Sequence, residues 1–457
     1  MSTFQSAAAQ AGRNTVPVPA FIVRVKRWLT HRGIRVLLAV YAALLWIAGR
    51  VGRNQRPLDG NPLEVLLTGT FSSDNWILAH VRPLAMSDRC ARVRFVATNP
   101  VPAVDKVEAI YPPAWLVRIV GSVPARLATF FWVGLRSQPD VVGGFHLQFN
   151  AMAAAMVARL IGSRSAYFCV GGPLEVLGGG FGCENRLFEK LEVPDAIIER
   201  RLHRAVADCD LVITMGTSAQ QYFRQLGVRS AIHVVSGGIE PPLPSAGGDN
   251  RATDIVFVGR LSPIKRLDLL LEAVHAARRA LPSITATIVG DGVMRARLEE
   301  LAGELELGQN VRFVGHQTNI SNWLNTAKLF VLTSDSEGLS LALMEAMMYG
   351  LPAVVSHVGD LADLVEEGVN GFLVRERSGE AFAARIVELL ANPERLRRFS
   401  QAARHSAVAH ETARMVQRWN WILTFPESQV SAEQDESLLG ERGAAAARCA
   451  PRHQGVE

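Results

Sequence analysis

Cysteine is scarce in this chain, and its few positions follow no pattern that binds a metal or builds a disulfide framework. The 457 residues include five cysteines, Cys90, Cys169, Cys183, Cys209 and Cys449, without paired spacing. A reducing cytoplasm is the simplest setting for them. No triplet of carboxylates and no cluster of histidines indicates a bound metal, so we expect neither a metal nor a cofactor.

A long hydrophobic run is also missing. The apolar segment 36–49 has fourteen residues, whereas a hydrocarbon core of about 30 Å needs about twenty. A cleaved signal peptide is disfavoured, because the run starts late and no small-residue cleavage site is evident. Residues 1–60 carry nine Arg and Lys and one acid, a net charge of +8; the whole chain is +5, which leaves −3 for the rest.

This charge distribution favours a membrane anchor. Basic flanks around a short apolar helix suit an interfacial helix on the anionic, cytoplasmic face of a membrane. A helix packed on the protein and a re-entrant hairpin are the alternatives. Nucleic acid is disfavoured as a partner, because the basic excess lies beside an apolar run rather than among exposed aromatic residues.

The glycine pattern of nicotinamide-dependent enzymes is absent as well. A dinucleotide site needs G-x-G-x-x-G after a first strand, with an acidic residue about twenty positions later. Gly290, Asp291 and Gly292 reproduce only part of that pattern, and they follow an internal strand. The sequence therefore disfavours a nicotinamide-dependent Rossmann oxidoreductase.

Alternating strands and helices fill the C-terminal half. Short apolar runs bounded by glycine turns recur at 255–258, 286–290, 311–315, 329–332, 353–356 and 372–374. Helical patterns separate most of these runs, which predicts βαβ units and a parallel sheet. Ligands of such sheets bind at the carboxyl ends of the strands.

Two loops of this half carry candidate ligand-binding groups. Gly259 ends the strand 255–258, and Arg260 and Lys265 follow it. The guanidinium of Arg260 is a planar fork of donors, and the ammonium of Lys265 is a compact point charge; both suit phosphate oxygens. Glu337 lies in the loop after 329–332, and Glu345 lies in the helix 341–349. Free backbone N–H groups at such a loop bind anions, and carboxylates accept hydrogen bonds from sugar hydroxyls. The plain alternative is a set of solvated surface charges.

The order and spacing of these residues resemble the donor-binding domain of retaining glycosyltransferases of family GT4, the group 1 glycosyltransferases of bacterial polysaccharide and glycolipid synthesis. The resemblance implies an α/β GT-B fold, with two Rossmann-like parallel-sheet domains facing a central cleft. It also implies a nucleotide-sugar donor as co-substrate and no metal. The matching residues are Gly259-Arg260-Leu261 with Lys265, 289–292, 311–315, Glu337-Gly338, Glu345-Ala346-Met347, Gly350-Leu351-Pro352 and Asn370-Gly371.

The same resemblance implies a role for each matching side chain. Arg260 and Lys265 are expected to hold the donor diphosphate. Glu345 is expected to accept from the ribose hydroxyls, and Glu337 to contact the transferred sugar. The base is expected near Gly315, His316 and Ile320. The full set is Glu337 and His146 as catalytic residues, with Gly259, Arg260, Lys265, His316, Gly338, Leu339, Ser340 and Glu345 at the donor.

The chain departs from the family pattern at several places. Arg266 stands where such proteins often carry glycine, so an extra cation is expected to crowd that loop. The turn 68–73 has one glycine where a glycine-rich turn is usual, and 171–173 replaces a His-Gly pair. His146 is either a polar contact to sugar or acceptor, or a packed histidine. The glycine-rich run 178–182 is either a mobile loop that closes over an acceptor or a linker.

These observations predict a domain organisation and a function. Residues 1–60 are a membrane-associating segment, 61–240 an acceptor domain, 241–254 a linker and 255–395 a donor domain. Residues 396–425 are helices returning to the N-terminal domain, and 426–457 a disordered tail. The expected activity is hexosyl transfer (EC 2.4) from a nucleotide sugar to a saccharide or lipid-linked acceptor. A GT-B sugar-nucleotide epimerase and a non-catalytic partner in polysaccharide assembly are the alternatives.

Overall fold

The structure, a computed structural model, describes residues 20–58, 62–71, 73–183, 185–242 and 251–425, with side chains from residue 24 onward. Two sheets of seven and six strands form separate cores, and every strand pairing is parallel. The predicted pair of parallel-sheet α/β domains is confirmed. The tail 426–457, most of the linker 241–254 and the first nineteen residues lie outside the described residues.

The N-terminal sheet is built from apolar strands whose central members are buried on both faces, as helices on both sides require. Its strands are β1 (Leu63–Thr68), β2 (Cys90–Val96), β3 (Val107–Ile110), β4 (Val141–Phe145), β5 (Arg164–Cys169), β6 (Leu211–Thr214) and β7 (Ala231–Val234). Their order is β3-β2-β1-β4-β5-β6-β7. The order reverses between β1 and β4, so the loops after these strands diverge and leave a crevice at the carboxyl edge.

In the described residues, seven α-helices lie between the first and the last strand of this sheet. They are α2 (Asp74–His80), α3 (Arg82–Met86), α4 (Ala114–Val120), α5 (Ser122–Ser137), α6 (Met152–Ile161), α7 (Ala196–Ala207) and α8 (Thr217–Gln225). Helix α6 is largely buried, because nine of its ten residues are apolar and both α1 and α5 pack against it. Strands β3 and β7 are absent from the sequence predictions, because each has four residues and β3 has no buried residue.

The C-terminal sheet follows the same plan. Its strands are β8 (Thr253–Val258), β9 (Ala286–Val289), β10 (Val311–Gly315), β11 (Ala327–Leu332), β12 (Ala353–Ser356) and β13 (Gly371–Val374). Their order is β10-β9-β8-β11-β12-β13, with the reversal between β8 and β11. The helices are α9 (Leu267–Ala277), α10 (Arg295–Glu304), α11 (Ser321–Thr326), α12 (Leu341–Met348), α13 (Gly379–Leu390) and α14 (Pro393–Ala407).

The last described helix, α15 (Thr412–Thr424), belongs to the N-terminal domain by its contacts. Met415, Trp419 and Ile422 pack into the same buried cluster as the strands of the N-terminal sheet. The chain thus crosses between domains twice, and the two crossings are hydrogen-bonded to each other. Ile239 N–H donates to the His410 carbonyl at 2.9 Å, and Thr412 N–H donates to the Ile239 carbonyl at 3.0 Å.

Helix α1 (Ala20–Val51) precedes the first sheet and corrects the length argument made from the sequence. The fourteen-residue apolar run lies inside one continuous helix of 32 residues, about 48 Å long. Lysine and arginine are good helix formers, so the helix continues through the basic residues before the run. By length and composition, Arg24–Val51 is long and apolar enough to cross a membrane, a test that a buried core helix also passes.

One stripe of α1 packs on the protein. Ile34, Leu38, Tyr41 and Leu45 are buried at helical spacing in a cluster shared with the N-terminal domain, where α1 contacts α6 and α7. The remaining face of the run 36–49 is exposed and has no charged side chain. One face of α1 is therefore packed on the protein, as one of the alternatives predicted, and its other face is an exposed apolar surface.

Candidate active site

The loop after β8 presents the predicted phosphate-binding residues at the carboxyl edge of the C-terminal sheet. Gly259 continues the strand, since its N–H donates to the Val289 carbonyl at 3.0 Å. Arg260 follows as an exposed side chain. Lys265 ends a short 3₁₀ turn, Pro263–Lys265, and its side chain is about four-fifths buried.

Lys265 and Glu337 meet in this structure. The Lys265 ammonium donates to Glu337 Oε1 at 2.6 Å, and the Ser334 hydroxyl donates to the same oxygen. Their side chains are 19% and 9% exposed, so water screens the pair poorly. The residue predicted to bind phosphate and the residue predicted to contact the sugar therefore form one ion pair, which joins the loops after β8 and β11.

Arg266 turns away from this pair. Its φ of +48° lies in the left-handed region, which explains why glycine suits the position. Its guanidinium donates to both carboxylate oxygens of Asp268 at 2.8–3.0 Å and approaches Asp335. The Arg266 guanidinium is paired with these two acids. The expectation that Arg266 crowds the phosphate loop is therefore wrong.

The loop from Glu337 to Ser340 is packed tightly between the domains. A Cβ on Gly338 would lie 3.2 Å from the Val170 carbonyl oxygen, across the cleft. A Cβ on Gly359, whose φ is +53°, would lie 1.7 Å from the Glu337 carbonyl oxygen, so only glycine fits beneath the loop. Ser340 caps α12 by accepting from the Leu343 N–H at 3.3 Å. Leu339 is partly exposed beside it.

Glu345 faces a cavity between the domains. Burial raises the pKa of its carboxyl to about 7, because desolvation disfavours the charged form. The cavity has a volume of about 380 Å³. Its lining comes from both domains and from the crossing between them, and it includes Asn75, Leu78, Arg82, Glu240, Asn319, Ile320, Glu345 and Tyr349. His316 is exposed at the end of β10 and is not among the lining residues.

His146 directly follows β4 and has an unusual backbone. Its φ is +67°, a conformation that costs a non-glycine residue of order 1–3 kcal/mol and is found mostly at functional sites. Its Nδ1 lies 3.1 Å from Glu175 Oε1. The carboxylate can only accept, so Nδ1 carries the proton of this hydrogen bond.

Glu175 is a buried partner of His146 that the sequence analysis did not predict. Its side chain is 1% exposed, and it accepts from the N–H of Leu147 and Gly171, each at 2.6 Å, and from the Tyr167 hydroxyl at 3.0 Å. Burial opposes its ionisation, but His146 and the backbone donors outweigh burial and lower its pKa. The available signal was an acid three residues after the Gly171-Gly172 pair that follows β5.

The two domains are joined on the other side of the cleft by a helix cap supplied in trans. Thr217 begins α8, and its N–H and hydroxyl both donate to Asp363 at 2.6 Å. The Ser218 N–H donates to Asp360 Oδ1 at 2.8 Å. Both acids follow β12 in the C-terminal domain, next to Gly359. The loop that supports Glu337 therefore also holds the N-terminal domain.

A second cavity lies within the N-terminal domain, at the carboxyl ends of β1 and β2. Its volume is about 240 Å³. The single-glycine turn after β1 forms one wall, where Phe71 stacks on Trp76 with ring centroids 4.4 Å apart. Polar groups of Thr98 and Asn99 line the opposite wall. An aromatic cluster thus occupies the place where the family pattern has a glycine-rich turn.

Two parallel-sheet domains that face a cleft, with the last helix of the chain packed on the first domain, define the GT-B class of glycosyltransferase folds. The crystal structure of HepE from Anabaena in complex with UDP has this fold and superimposes with a TM-score of 0.62. The match covers 79% of this chain and 100% of that chain, at 19% sequence identity. The predicted GT-B fold is thereby confirmed.

Sequence relatives identify the C-terminal half more closely. The model of the family described as glycosyl transferases group 1 matches residues 245–406, so this segment is a glycosyltransferase domain of that family. An uncharacterized glycosyltransferase of Haemophilus influenzae is 28% identical over 223 residues, which cover 48% of this chain and 62% of that protein. The amylovoran biosynthesis glycosyltransferase AmsK of Erwinia amylovora is 33% identical over 169 residues, 35% of this chain and 42% of AmsK. The chain therefore matches less than two thirds of the length of these two relatives.

Proposed function

We propose that this chain is a retaining glycosyltransferase of family GT4 that transfers a hexosyl group from a nucleotide sugar to an acceptor hydroxyl. The role we propose lies in bacterial cell-surface polysaccharide or glycolipid synthesis. The observation that carries the proposal is the buried Lys265–Glu337 pair, which lies at the sheet edge facing the N-terminal domain. The group 1 family match and the resemblance to AmsK support it.

The donor diphosphate binds beside Lys265 and Arg260 in this proposal. Negative charge develops on the leaving diphosphate, and a preorganised cation stabilises it more in a water-poor cleft than in solution. Lys265 has three donors, so it can reach a phosphate oxygen and keep its hydrogen bond to Glu337. Backbone N–H groups of Gly338 and Leu339 add to the phosphate site at the start of α12.

The nucleoside occupies the interdomain cavity. Glu345 accepts from the ribose hydroxyls there, and Asn319 and Ile320 border the base. Because α2 and α3 form the opposite wall, domain closure excludes water that would otherwise hydrolyse the donor. HepE was crystallised with UDP, which makes a uridine nucleotide sugar the first donor to test.

The acceptor enters from the N-terminal domain, where His146 contacts the sugar or the acceptor. Glu337 contacts the transferred sugar from the other side. No residue of the described cleft is an evident covalent nucleophile, so we favour attack on the face that the diphosphate leaves. The leaving phosphate oxygen then takes the acceptor proton, and the anomeric configuration is retained.

A thermal-shift screen tests the donor site. We expect one nucleotide sugar among UDP-, GDP- and ADP-linked donors to stabilise the protein and to lose that effect in Glu345→Ala. Arg260→Ala and Lys265→Ala should each slow transfer at least about tenfold with the fold intact. Stabilisation by no donor, or transfer at normal rates in both variants, would contradict the proposal.

The exposed face of α1 supports peripheral attachment to the cytoplasmic membrane, on its inner, anionic side. An apolar outer face beside Arg24, Lys26 and Arg32 is the composition of an interfacial helix. Deleting the helix would expose its buried stripe, so a surface substitution is the sharper test. Val40 is 50% exposed, and Val40→Asp should weaken binding to anionic vesicles while thermal stability is retained. Undiminished vesicle binding by this variant would refute attachment through α1.

A further inference from the structure

Helix α4 exposes an apolar surface that its own domain does not cover. Six of its seven residues are apolar, Arg118 is the exception, and none is buried. Trp115 and Ile119 are 61% and 73% exposed. A helix this short is not stable in water by itself, and apolar surface of this kind marks an interaction site.

Two neighbouring helices continue this surface. Helix α4 packs on α5, and both α5 and α1 pack on α6. The outer face of α5 exposes Trp132 and Leu135, and Val123 is exposed in its first turn. Arg53, just after α1, donates to Gln138, just after α5. The exposed faces of α1, α4 and α5 therefore lie on one side of the N-terminal domain, which we call the apolar face.

The charges on the apolar face identify its occupant. Neither 20–58 nor 111–139 contains an acidic residue. Arginines lie over the exposed tryptophans of α1, with Arg32 4.6 Å from the ring of Trp28 and Arg50 4.1 Å from that of Trp46. Tryptophan beside arginine is the composition of a membrane interface, where the ring is half-immersed and the cation reaches the headgroups. A second copy of the chain would oppose arginine to arginine, so a bilayer with anionic lipids fits better.

Helix α4 also adjoins the cavity of the N-terminal domain. Thr98, Asn99 and Pro100 line that cavity, and the next residue, Val101, donates its N–H to the Tyr111 hydroxyl at 3.1 Å. Tyr111 lies three residues before α4. One short path of bonded and hydrogen-bonded residues therefore connects the cavity wall with the apolar face.

We propose that α4 inserts into the bilayer beside α1, so that the N-terminal domain contacts the membrane at two places. This inference rests on the proposed membrane attachment and deepens it. Attachment through α1 alone fixes the chain to a membrane. A second contact at α4 also fixes its orientation and brings the cavity to the level of the lipid headgroups.

Vesicle binding by the full-length protein tests the proposal. The vesicles contain phosphatidylcholine with phosphatidylglycerol, and brominated acyl chains quench any tryptophan that enters the hydrocarbon. We expect quenching in the wild type, and we expect Trp115→Phe to lose part of it, whereas Trp323→Phe, in the C-terminal domain, should not. Ile119→Asp should weaken vesicle binding about tenfold, because it places a charge in the contact. Val369→Asp, a matched exposed site 42% accessible in the other domain, should bind normally.

The outcomes separate this inference from the proposed function. Normal binding and quenching in Ile119→Asp, with binding lost in Val40→Asp, would overturn the role of α4 and leave attachment through α1 standing. No binding by the wild type would overturn both. A wild-type dimer in solution that Ile119→Asp dissociates would assign the apolar face to a second copy and overturn the bilayer contact. Since Ile119 is exposed, Ile119→Asp should melt as the wild type does.

Discussion

The two domains of this chain have the same sheet architecture but hold their candidate functional groups differently. In the C-terminal domain, Arg260, Lys265 and Glu337 lie in loops directly after buried strands, so the local sequence positions them. In the N-terminal domain, His146 depends on Glu175, 29 residues later in the chain. A site built from local loops is visible in a sequence, and a site built from distant partners needs the fold.

The surfaces of the two domains differ as well. Several exposed arginines of the C-terminal domain are paired with acids on the same helix, as Arg295 is with Glu299 and Arg297 with Glu300. Such pairs suit a surface in water, where each contributes a few tenths of a kcal/mol. On the apolar face, Arg32 and Arg50 lie over tryptophan rings, and neither 20–58 nor 111–139 offers an acidic partner. The difference supports the proposed arrangement, with the N-terminal domain on the membrane and the C-terminal domain in solution.

The largest expected effect tests the local site. Lys265→Ala should lower the transfer rate between about a hundredfold and a thousandfold, the usual loss when one preorganised donor to a developing charge is removed. It also leaves Glu337 buried without its cation, so donor affinity and thermal stability should both fall. Rates with the donor that the thermal-shift screen identifies, and calorimetric binding of its nucleotide, measure these losses.

Arg266→Gly is the matched control, because it removes a neighbouring cation that faces Asp268 instead of the cleft. Glycine accepts the positive φ at this position without strain. We therefore expect transfer and nucleotide affinity within about twofold of the wild type, since the charge removed lies outside the phosphate site. An equal loss in both variants would show that the site responds to total charge rather than to the position of Lys265.

The second prediction tests the distributed site. Glu175→Gln should destabilise the N-terminal domain by about 3 kcal/mol, because an amide donor then faces backbone donors around a buried position. Nucleotide affinity should stay normal, since the C-terminal domain holds the donor. Chemical denaturation and nucleotide binding measure the two effects. If Glu175→Gln lost nucleotide affinity and kept normal stability, Glu175 would act on donor binding rather than on the stability of the N-terminal domain.

The pH dependence of stability sharpens this prediction. The pKa of Glu175 in the folded protein lies below its ordinary value of 4.5. Its ionised form therefore stabilises the protein above that value, and this stabilisation is lost as the pH falls through the lowered pKa. Glu175→Gln should flatten the acid limb of the stability curve, whereas Glu411→Gln, outside this cluster, should leave it unchanged.

Sequence alone could predict the six strands of the C-terminal sheet and the placement of Lys265, Glu337 and Glu345 around its edge. Periodicity and strand-end position are local properties, so these predictions needed no tertiary contact. The contact between Lys265 and Glu337, the trans cap of α8 and the buried Glu175 depend on how distant segments pack. The full length of α1 was missed because its basic first half conceals a helix that continues into the apolar run.

The third prediction concerns Glu345, whose pKa burial raises to about 7. Its folded pKa exceeds the unfolded value, so the protein loses stability as the pH rises from about 4.5 to 7. Glu345→Gln should remove this loss and stabilise the protein at pH 8 by about 2 kcal/mol, after allowance for its partial exposure. Thermal unfolding across this pH range measures the gain.

Donor binding should show the opposite dependence on pH. A ribose hydroxyl donates best to the ionised carboxylate, so nucleotide affinity should fall as the pH drops below about 7. Glu345→Gln should bind the nucleotide weakly at every pH. If Glu345→Gln gains stability and loses nucleotide affinity, the ionised Glu345 serves binding and lowers the stability of the protein.

The smallest effect tests how the two domains are joined. Asp360→Asn and Asp363→Asn each weaken a cap that the C-terminal domain supplies to α8, which is worth about 1 kcal/mol for a typical N-cap. Asparagine keeps the size of the side chain, so the change is mainly one of charge at the positive end of the helix. Asn392→Ala removes a cap of similar strength inside the C-terminal domain, at α14, and provides the comparison.

The two kinds of cap should differ in what they change besides stability. The trans cap lies beside Gly359, which supports the Glu337 loop, so loss of Asp360 should loosen the closed cleft and weaken nucleotide binding several-fold. Small-angle scattering should show a larger radius of gyration for Asp360→Asn and none for Asn392→Ala. If both variants lose the same stability and neither changes the radius or the affinity, the cap is structural only, and closure is held by other contacts across the cleft. A larger radius with unchanged affinity would separate closure from donor binding and assign the donor site to the C-terminal domain alone.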